Sequence, residues 1–315
     1  MNILIELVEV LVFPGLAFLV VYALFCEWVD RRAYARLQNR WGPPWFQPFA
    51  DLIKLAAKED VVPAGADRAF FTALPIFDVA AVACAFLYIP VFGARAVFSF
   101  SGDIIVVAYL LSLPTLILFL AGWYSNNAFS VVGSMRTVTQ LLAYEVPLLL
   151  AILGPAMLAG SWSVSDAAVF MRTHPALLPL NIIGFLVSLI ALQGKLERVP
   201  FDMPEAETEI VAGTFTEYSG RRLALFRLAT DMEMVVGSAL IANLFLGGAA
   251  PVGPVPGFIL FLAETLFVVL LLSWIRATCA RIRIEQMVAF CWRYLVPAAL
   301  VQVLIFVVVK GWWLA

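Results

Sequence analysis

The chain has 315 residues, of which 63% are hydrophobic and 13% charged, with a formal net charge of −2. Soluble domains carry about 25% charged residues, so the composition excludes an ordinary soluble domain, and no nucleic-acid partner is expected. A helix crossing the hydrocarbon core needs roughly 20 apolar residues. Eight such runs fall near 5–26, 69–92, 104–123, 141–160, 177–194, 223–247, 256–275 and 288–309. Away from water each backbone N–H and C=O needs a partner within its own segment, which makes helices the default. The short alternating segments of a β-barrel are missing. The expected fold is all-α: a polytopic integral membrane protein, one membrane domain over 1–315.

The first run lacks a basic flank and has span length, so it reads as a retained helix rather than a cleaved signal. It leads into a loop over 27–68 that is more than a connector. The charged stretch EWVDRRAYARLQNR (Glu27–Arg40) is followed by a turn at Gly42-Pro43-Pro44 and by QPFADLIKLAAK (Gln47–Lys58). Phe49, Leu52, Ile53 and Ala56 recur at helical spacing, Pro48 suits a first turn, and Asp51, Lys54 and Lys58 lie off the apolar face. An amphipathic helix at the membrane surface fits this pattern; so does a lid closing the protein's own base.

Four loops lie on one side of eight spans, near 27–68, 124–140, 195–222 and 276–287. Of the 20 Lys and Arg residues, only Arg95, Arg172 and Lys310 fall on the other side. The positive-inside rule therefore puts these loops in the cytoplasm and both termini outside, in a cell membrane.

Inside the runs, Glu145 lies in the fourth, Asp231 and Glu233 in the sixth, and Glu264 in the seventh. A charge at mid-membrane costs about 2.5–3.5 kcal/mol on insertion, so such groups face a bundle interior, a water cavity or a partner. The alternative is that each sits near a span end and reaches headgroup water; Glu145 falls only a turn into its run.

Between the fifth and sixth runs stands RVPFDMPEAETEIVAGTFTEYSG (Arg198–Gly220), the core of an acidic loop over 196–222. Residues 199–220 hold Asp202, Glu205, Glu207, Glu209 and Glu217 and no base. Asp202 is placed to cap a short helix with Pro204 in its first turn and Glu205 three residues on. Phe201, Met203, Ile210, Val211, Phe215 and Tyr218 are interleaved with the acids, which favours partial burial over a solvated acidic face. Burial would raise some of these carboxyls towards neutrality and suit them to proton transfer. The four cysteines (Cys26, Cys84, Cys279, Cys291) are scattered, and His174 is alone, so no metal site or bound cofactor is expected in this chain. An internal repeat is not visible, which counts against a free-standing inverted-repeat ion antiporter.

Four stretches together resemble a known family. They are ERVPFDMPEAETEIVAGTFTEYSG from Glu197, AGWYSNNAFSVVGSMRTVTQLLAYEVPL from Ala121, WIRATCARIRIEQ from Trp274, and QPFADLIKLAAKEDVVPAGADR from Gln47. The chain resembles the complex I membrane subunit 1 family, whose members form part of the quinone cavity and stand at the hinge between a redox arm and an ion-pumping arm. The family includes the matching subunit of energy-converting membrane-bound NiFe hydrogenases. The resemblance implies a proton or sodium path through Glu145, Asp202, Glu205, Glu207, Glu209 and Glu217, with Asp231 or Glu233 near the position of the family's sixth-span glutamate. It matches Arg198 to the loop's basic residue, sets Asp30, Arg31 and Arg32 at an acidic-basic-basic run, and puts Asp51 and Lys54 near the cavity mouth.

It also implies partners: cytoplasmic Fe–S and hydrogenase-like subunits carrying Fe–S clusters and a NiFe centre, antiporter-like and small membrane subunits, and the lipid bilayer of a prokaryotic cell. NRWGPPWFQP (Asn39–Pro48) is shorter than the insert of quinone-reducing members, and with RIRIEQ (Arg281–Gln286) resembles the hydrogenase and sulfur-reductase branch. The expected function is a membrane hinge subunit coupling hydrogenase-like or sulfur-reductase-like electron transfer to ion movement. The rival readings are a quinone-binding subunit of a complex I type enzyme and a free-standing antiporter.

Overall fold

A computed structural model describes residues 2–249 and 253–313, and the side chains of all of these except 2–4, 207, 208, 312 and 313. The described residues form helices and no strand. Eight helical stretches are long and apolar enough to cross a membrane. The first apolar run is broken at Pro14-Gly15 into α1 (Asn2–Leu11) and α2 (Leu16–Leu37). The sequence places a loop from residue 27, but α2 continues to Leu37 because Glu27, Asp30 and Arg31 find ionic partners on neighbouring segments. The amphipathic helix α3 (Gln47–Ala57) forms where expected, with Pro48 in its first turn. Its Phe49 and Leu52 pack on the main core, whereas Ile53 is exposed.

Helix α4 (Arg68–Phe86) starts at Asp67, whose carboxylate accepts from the backbone N–H of Ala69 and Phe70, satisfying donors a helix start leaves open. Helix α5 (Asp103–Tyr124) returns, and α6 (Ala128–Ala159) is capped by Asn127 and stopped by left-handed Gly160. Because α6 begins well before residue 141, Glu145 lies deep in a continuous helix rather than near its end. After α7 (Val164–Thr173) and a 3₁₀ stretch (Pro175–Asn181) come α8 (Ile182–Lys195) and the single turn α9 (Glu207–Ile210). Then follow α10 (Gly220–Ile241, extended by a π turn at Ala242–Leu246) and α11 (Pro254–Thr278). Finally α12 (Ile284–Phe290) runs through a second π turn (Cys291–Leu295) into α13 (Val296–Trp313).

Helix α10 is the centre of the bundle. Its apolar window is 89% buried, against 22% for the last span, and it packs against α2, α3, α4, α8 and α11. The face that carries the basic loops, called here the basic face, is closed by residues 196–219. Phe201, Met203, Ile210, Phe215 and Tyr218 of this segment are buried, so it is a packed plug and not a solvated acidic face. The Tyr218 ring stacks on Phe71 at 4.0 Å and meets Phe226 edge-on at 5.0 Å. Fully burying such side chains stabilises by about 1.5–3 kcal/mol each.

Asp202 does not cap a helix. Residue Ala206 precedes α9, and the Asp202 carboxylate is instead paired with Arg281 at 3.1 Å. Further along, the Gly213–Thr214 backbone lies in a notch between α5 and α6. A Cβ on Gly133 would come within 2.7 Å of the Thr214 nitrogen, and one on Gly122 within 3.2 Å of the Thr214 methyl. Gly213 itself has φ +52°, and a Cβ there would overlap the Pro204 carbonyl.

Gly93 also has a positive φ, +89°, but a Cβ there meets nothing within 4 Å. Replacing either glycine by alanine carries the left-handed penalty of about 1–2 kcal/mol, and only Gly213→Ala adds the clash. Thermal unfolding of the solubilised complex should therefore fall clearly further for Gly213→Ala than for Gly93→Ala.

Candidate functional site

A cavity of about 500 Å³ opens on the basic face, among α2, α3, α10, the end of α11 and residues 196–205. Asp51, Lys54 and Lys58 of α3 stand on its wall, with Leu52 and Leu55 beside them. The opposite wall holds Glu27, Arg31, Arg198, Asp231 and Arg276. These groups form one ionic network. Arg198 reaches Glu27 at 2.8 Å, Asp30 at 3.0 Å and Asp231 at 3.9 Å. Asp30, fully buried, also accepts from Arg276 at 2.9 Å and from the Ser273 hydroxyl at 2.6 Å. Arg31 bridges Glu27 at 2.6 Å and Asp51 at 2.7 Å, and Gln47 donates to Asp51 at 2.8 Å. Four carboxylates (Glu27, Asp30, Asp51, Asp231) thus meet three guanidiniums (Arg31, Arg198, Arg276), with the Lys54 ammonium beside Asp51. Burial alone would push the Arg198 guanidinium down, but Asp30, Glu27 and Asp231 outweigh it and hold it well above its ordinary value. Partial burial would likewise raise Asp51, yet its bonds from Arg31 and Gln47 keep it below the usual range.

Deeper in the bundle the balance is lost. Glu197, at the cavity wall, is buried, and both its carboxyl oxygens lack a hydrogen-bond partner among the described residues. Burial, with Glu205 and Glu233 nearby, pushes it from the ordinary 4.5 up to about 8. Lys195, the last residue of α8, pairs with Glu233 of α10 at 3.4 Å and lies over the Tyr144 ring at 5.5 Å. Glu145 of α6 is within electrostatic reach of both Lys195 and Glu233, and its Oε2 is buried without a partner. Asp78 of α4 is fully buried, its Oδ1 has no hydrogen-bond partner among the described residues, and it faces the charges of Glu233, Glu197 and Lys195.

The other sequence candidates sit elsewhere. Glu205 pairs with Arg227 at 3.1 Å, and Glu209 with Arg136 at 2.7 Å, whose hydrogen bond and charge hold that exposed carboxylate below its usual range. Glu217 accepts from the Asn127 side chain. These acids, with Asp202, fasten the plug to α6, α10 and the segment after α11. Glu207 begins α9, but its side chain lies outside the described residues. Arg32 lies over the Trp28 ring at 5.3 Å. Glu264 pairs with Arg172 at 2.9 Å, apart from this network. Among the described residues no three His, Cys, Asp or Glu side chains are grouped to hold a metal ion.

Five groups of the site were not singled out from sequence: Glu27, Asp78, Lys195, Glu197 and Arg276. Asp78 carries the same signal as Glu145, an acid within an apolar run. Lys195 and Glu197 look like a solvated flank of the acidic stretch, and only the packing of Gln140 over them reveals their burial. Its amide donates to the carbonyls of Gly194 at 2.6 Å and Phe201 at 2.8 Å.

An eight-span helical bundle with a charged cavity on one face and buried acids beneath it defines a polytopic membrane subunit. The chain belongs to the NADH dehydrogenase family, the membrane subunit 1 family of complex I, which matches it over residues 9–307. It is 38% identical over 299 residues to a subunit of the NADH-quinone oxidoreductase of Carboxydothermus hydrogenoformans, covering 92% of this chain and 85% of that one. NADH-quinone oxidoreductase subunit 8 of Thermus thermophilus is 39% identical over 295 residues, which cover 89% of this chain and 80% of its own. In structure the protein is similar to a chain of the membrane-bound sulfane sulfur reductase, an archaeal respiratory membrane complex, with TM-score 0.82, 26% identity, and coverage of 92% and 97%. It is therefore a membrane subunit of a multi-subunit respiratory oxidoreductase.

Arg198→Met should leave Asp30 and Glu27 underpaired and cost about 3–5 kcal/mol. Arg281→Ala breaks half-exposed pairs and should cost about 0–1 kcal/mol; comparative thermal denaturation of the solubilised complex measures the difference. The unfolded chain releases the Glu197 proton near 4.5 and the folded chain near 8. Between those values the folded state binds more protons, so stability should fall as pH rises from 4.5 to 8 and level off above it. The slope is at most about 1.4 kcal/mol per pH unit, and Glu197→Gln should flatten it.

Proposed function

We propose that this chain is the non-redox coupling subunit of its complex, passing the electrostatic consequence of electron transfer in a hydrogenase-like or sulfur-reductase-like module into ion movement. One observation carries this reading: ionisable groups within electrostatic reach of one another extend from Glu197 at the cavity wall to the Lys195–Glu233 pair and on to Glu145. The redox module, holding the Fe–S clusters and any NiFe centre, docks over the basic face, which the positive-inside rule makes cytoplasmic. A change of charge there acts first on Glu197, which is poised to gain and lose a proton near neutral pH. The proton is then handed past the Lys195–Glu233 pair to Glu145 and to antiporter-like neighbours. Asp202, Glu205, Glu209 and Glu217 serve this path by holding the plug in place. A free-standing antiporter is disfavoured by the family itself.

A second reading, that the cavity takes a quinone, is favoured by the 38% and 39% identity to subunits named for NADH-quinone oxidoreductases, above the 26% to the sulfur reductase. The cavity volume also suits a small ligand. The short Asn39–Pro48 connection and the densely charged wall favour the first.

In membrane vesicles of the intact complex, Glu145→Gln and Glu233→Gln should each abolish most ion movement per electron pair while assembly persists. Wild-type coupling in both variants would remove the path. Extracting quinone from the vesicles should leave electron transfer to the native acceptor unchanged; loss of turnover, restored by added quinone, would establish the second reading.

A further inference from the structure

We infer that Asp78 is an alternative partner for Lys195, so that the polar chain forks at this lysine and the Lys195 ammonium works as a switch between α10 and α4. The inference rests on the path proposed above and concerns how a proton is moved along it. Asp78 is 2% exposed at the interface where α4 packs on α10 and α5. Its Oδ1 has no hydrogen-bond partner, and it makes no ion pair among the described residues.

The Lys195–Glu233 contact is loose. At 3.4 Å it is longer than the 2.7–2.9 Å of a charge-assisted hydrogen bond, and Nζ of Lys195 has no hydrogen-bond partner. The face of the Tyr144 ring steadies the ammonium without claiming it, because the Tyr144 hydroxyl is engaged with Thr115 at 2.7 Å. An ammonium held this weakly can turn without breaking a strong bond.

Charge counting supplies the reason to turn. Around the cavity the carboxylates of Glu27, Asp30, Asp51 and Asp231 meet the guanidiniums of Arg31, Arg198 and Arg276 and the Lys54 ammonium. Below it Asp78, Glu145 and Glu233 share Lys195, and Glu197 lies beside Glu233, Glu205 and the Arg227 that pairs with Glu205. Each uncompensated ion in a dry interior costs several kcal/mol, so the neutral arrangement has one ionised carboxylate and three carboxylic acids. When a proton passes from Glu197 to the Glu233 carboxylate, that partner of Lys195 becomes neutral. The ammonium then stabilises ionisation of Asp78, whose proton leaves for the next acceptor. The transfer leaves Glu197 ionised, and it takes a replacing proton from the cavity side as the Asp78 proton leaves. One proton enters, one leaves, and the cluster is neutral again at the end of the step. To reset, the Glu233 proton passes to the Asp78 carboxylate, and the Lys195 ammonium returns to the Glu233 carboxylate this leaves.

The test uses the intact complex in sealed vesicles, reading electron transfer, ion movement per electron pair, and the infrared difference bands of carboxylic acids on turnover. Asp78→Asn should lower ions moved per electron pair while assembly and electron transfer persist, and should delete one carboxylic-acid band. Asp78→Glu should restore both. Wild-type coupling in Asp78→Asn, or a loss that Asp78→Glu does not rescue, would overturn the inference. If Glu145→Gln and Glu233→Gln uncouple but Asp78→Asn does not, the path stands and only the fork is removed. If none of the three uncouples, the path itself fails.

Discussion

Arg198 reaches three carboxylates from two helices, Glu27 and Asp30 on α2 and Asp231 on α10. It emerges just after α8, so this one guanidinium ties the start of the acidic segment to the helices on either side of the cavity. Asp30 could not be fully buried without Arg198 and Arg276, and α2 could not run on to Leu37 through so many charges without them. The cavity is therefore what remains between elements that an ionic contact has drawn together and that their apolar surfaces alone would pack more closely.

Most acids at the cavity and beneath it fall into two kinds by their company. Those paired with arginine are structural: they set the plug, the extension of α2 and the seat of α3. Those without arginine lie one layer deeper and share a lysine. Arginine stays charged under all physiological conditions, whereas a lysine–carboxylate pair can be neutralised by moving one proton. On the path proposed above, the distribution of the two bases separates scaffold from moving part more sharply than does the distribution of the acids.

The span count, the amphipathic α3 and the burial of the 199–220 segment were legible because each rests on a strong local signal. These signals are a long apolar run, a 3.6-residue period, and aromatics interleaved with acids. Glu145 and Glu233 were found by the cost of burying charge, and the same rule would have named Asp78. Lys195 and Glu197 were illegible because their burial depends on Gln140, more than fifty residues away, folding α6 over the end of α8. The helix bounds misled where ionic partners, not hydrophobicity, stabilise a helix: α2 extends through its charges, and α6 starts before its apolar window. Asp202 shows the limit of capping patterns, since its carboxylate is paired with a distant arginine instead.

The Gly122–Gly133 notch has a mechanical consequence. The Gly213–Thr214 backbone fits between α5 and α6 so closely that no methyl group can intervene. A segment seated this tightly cannot slide past its seat; displaced from outside, it acts as a wedge and tilts the two helices with it. Glu145 rides on one of those helices. Force applied at the surface by a docked neighbour would therefore reach the membrane interior as a rigid-body tilt, on the same stroke as any change in field.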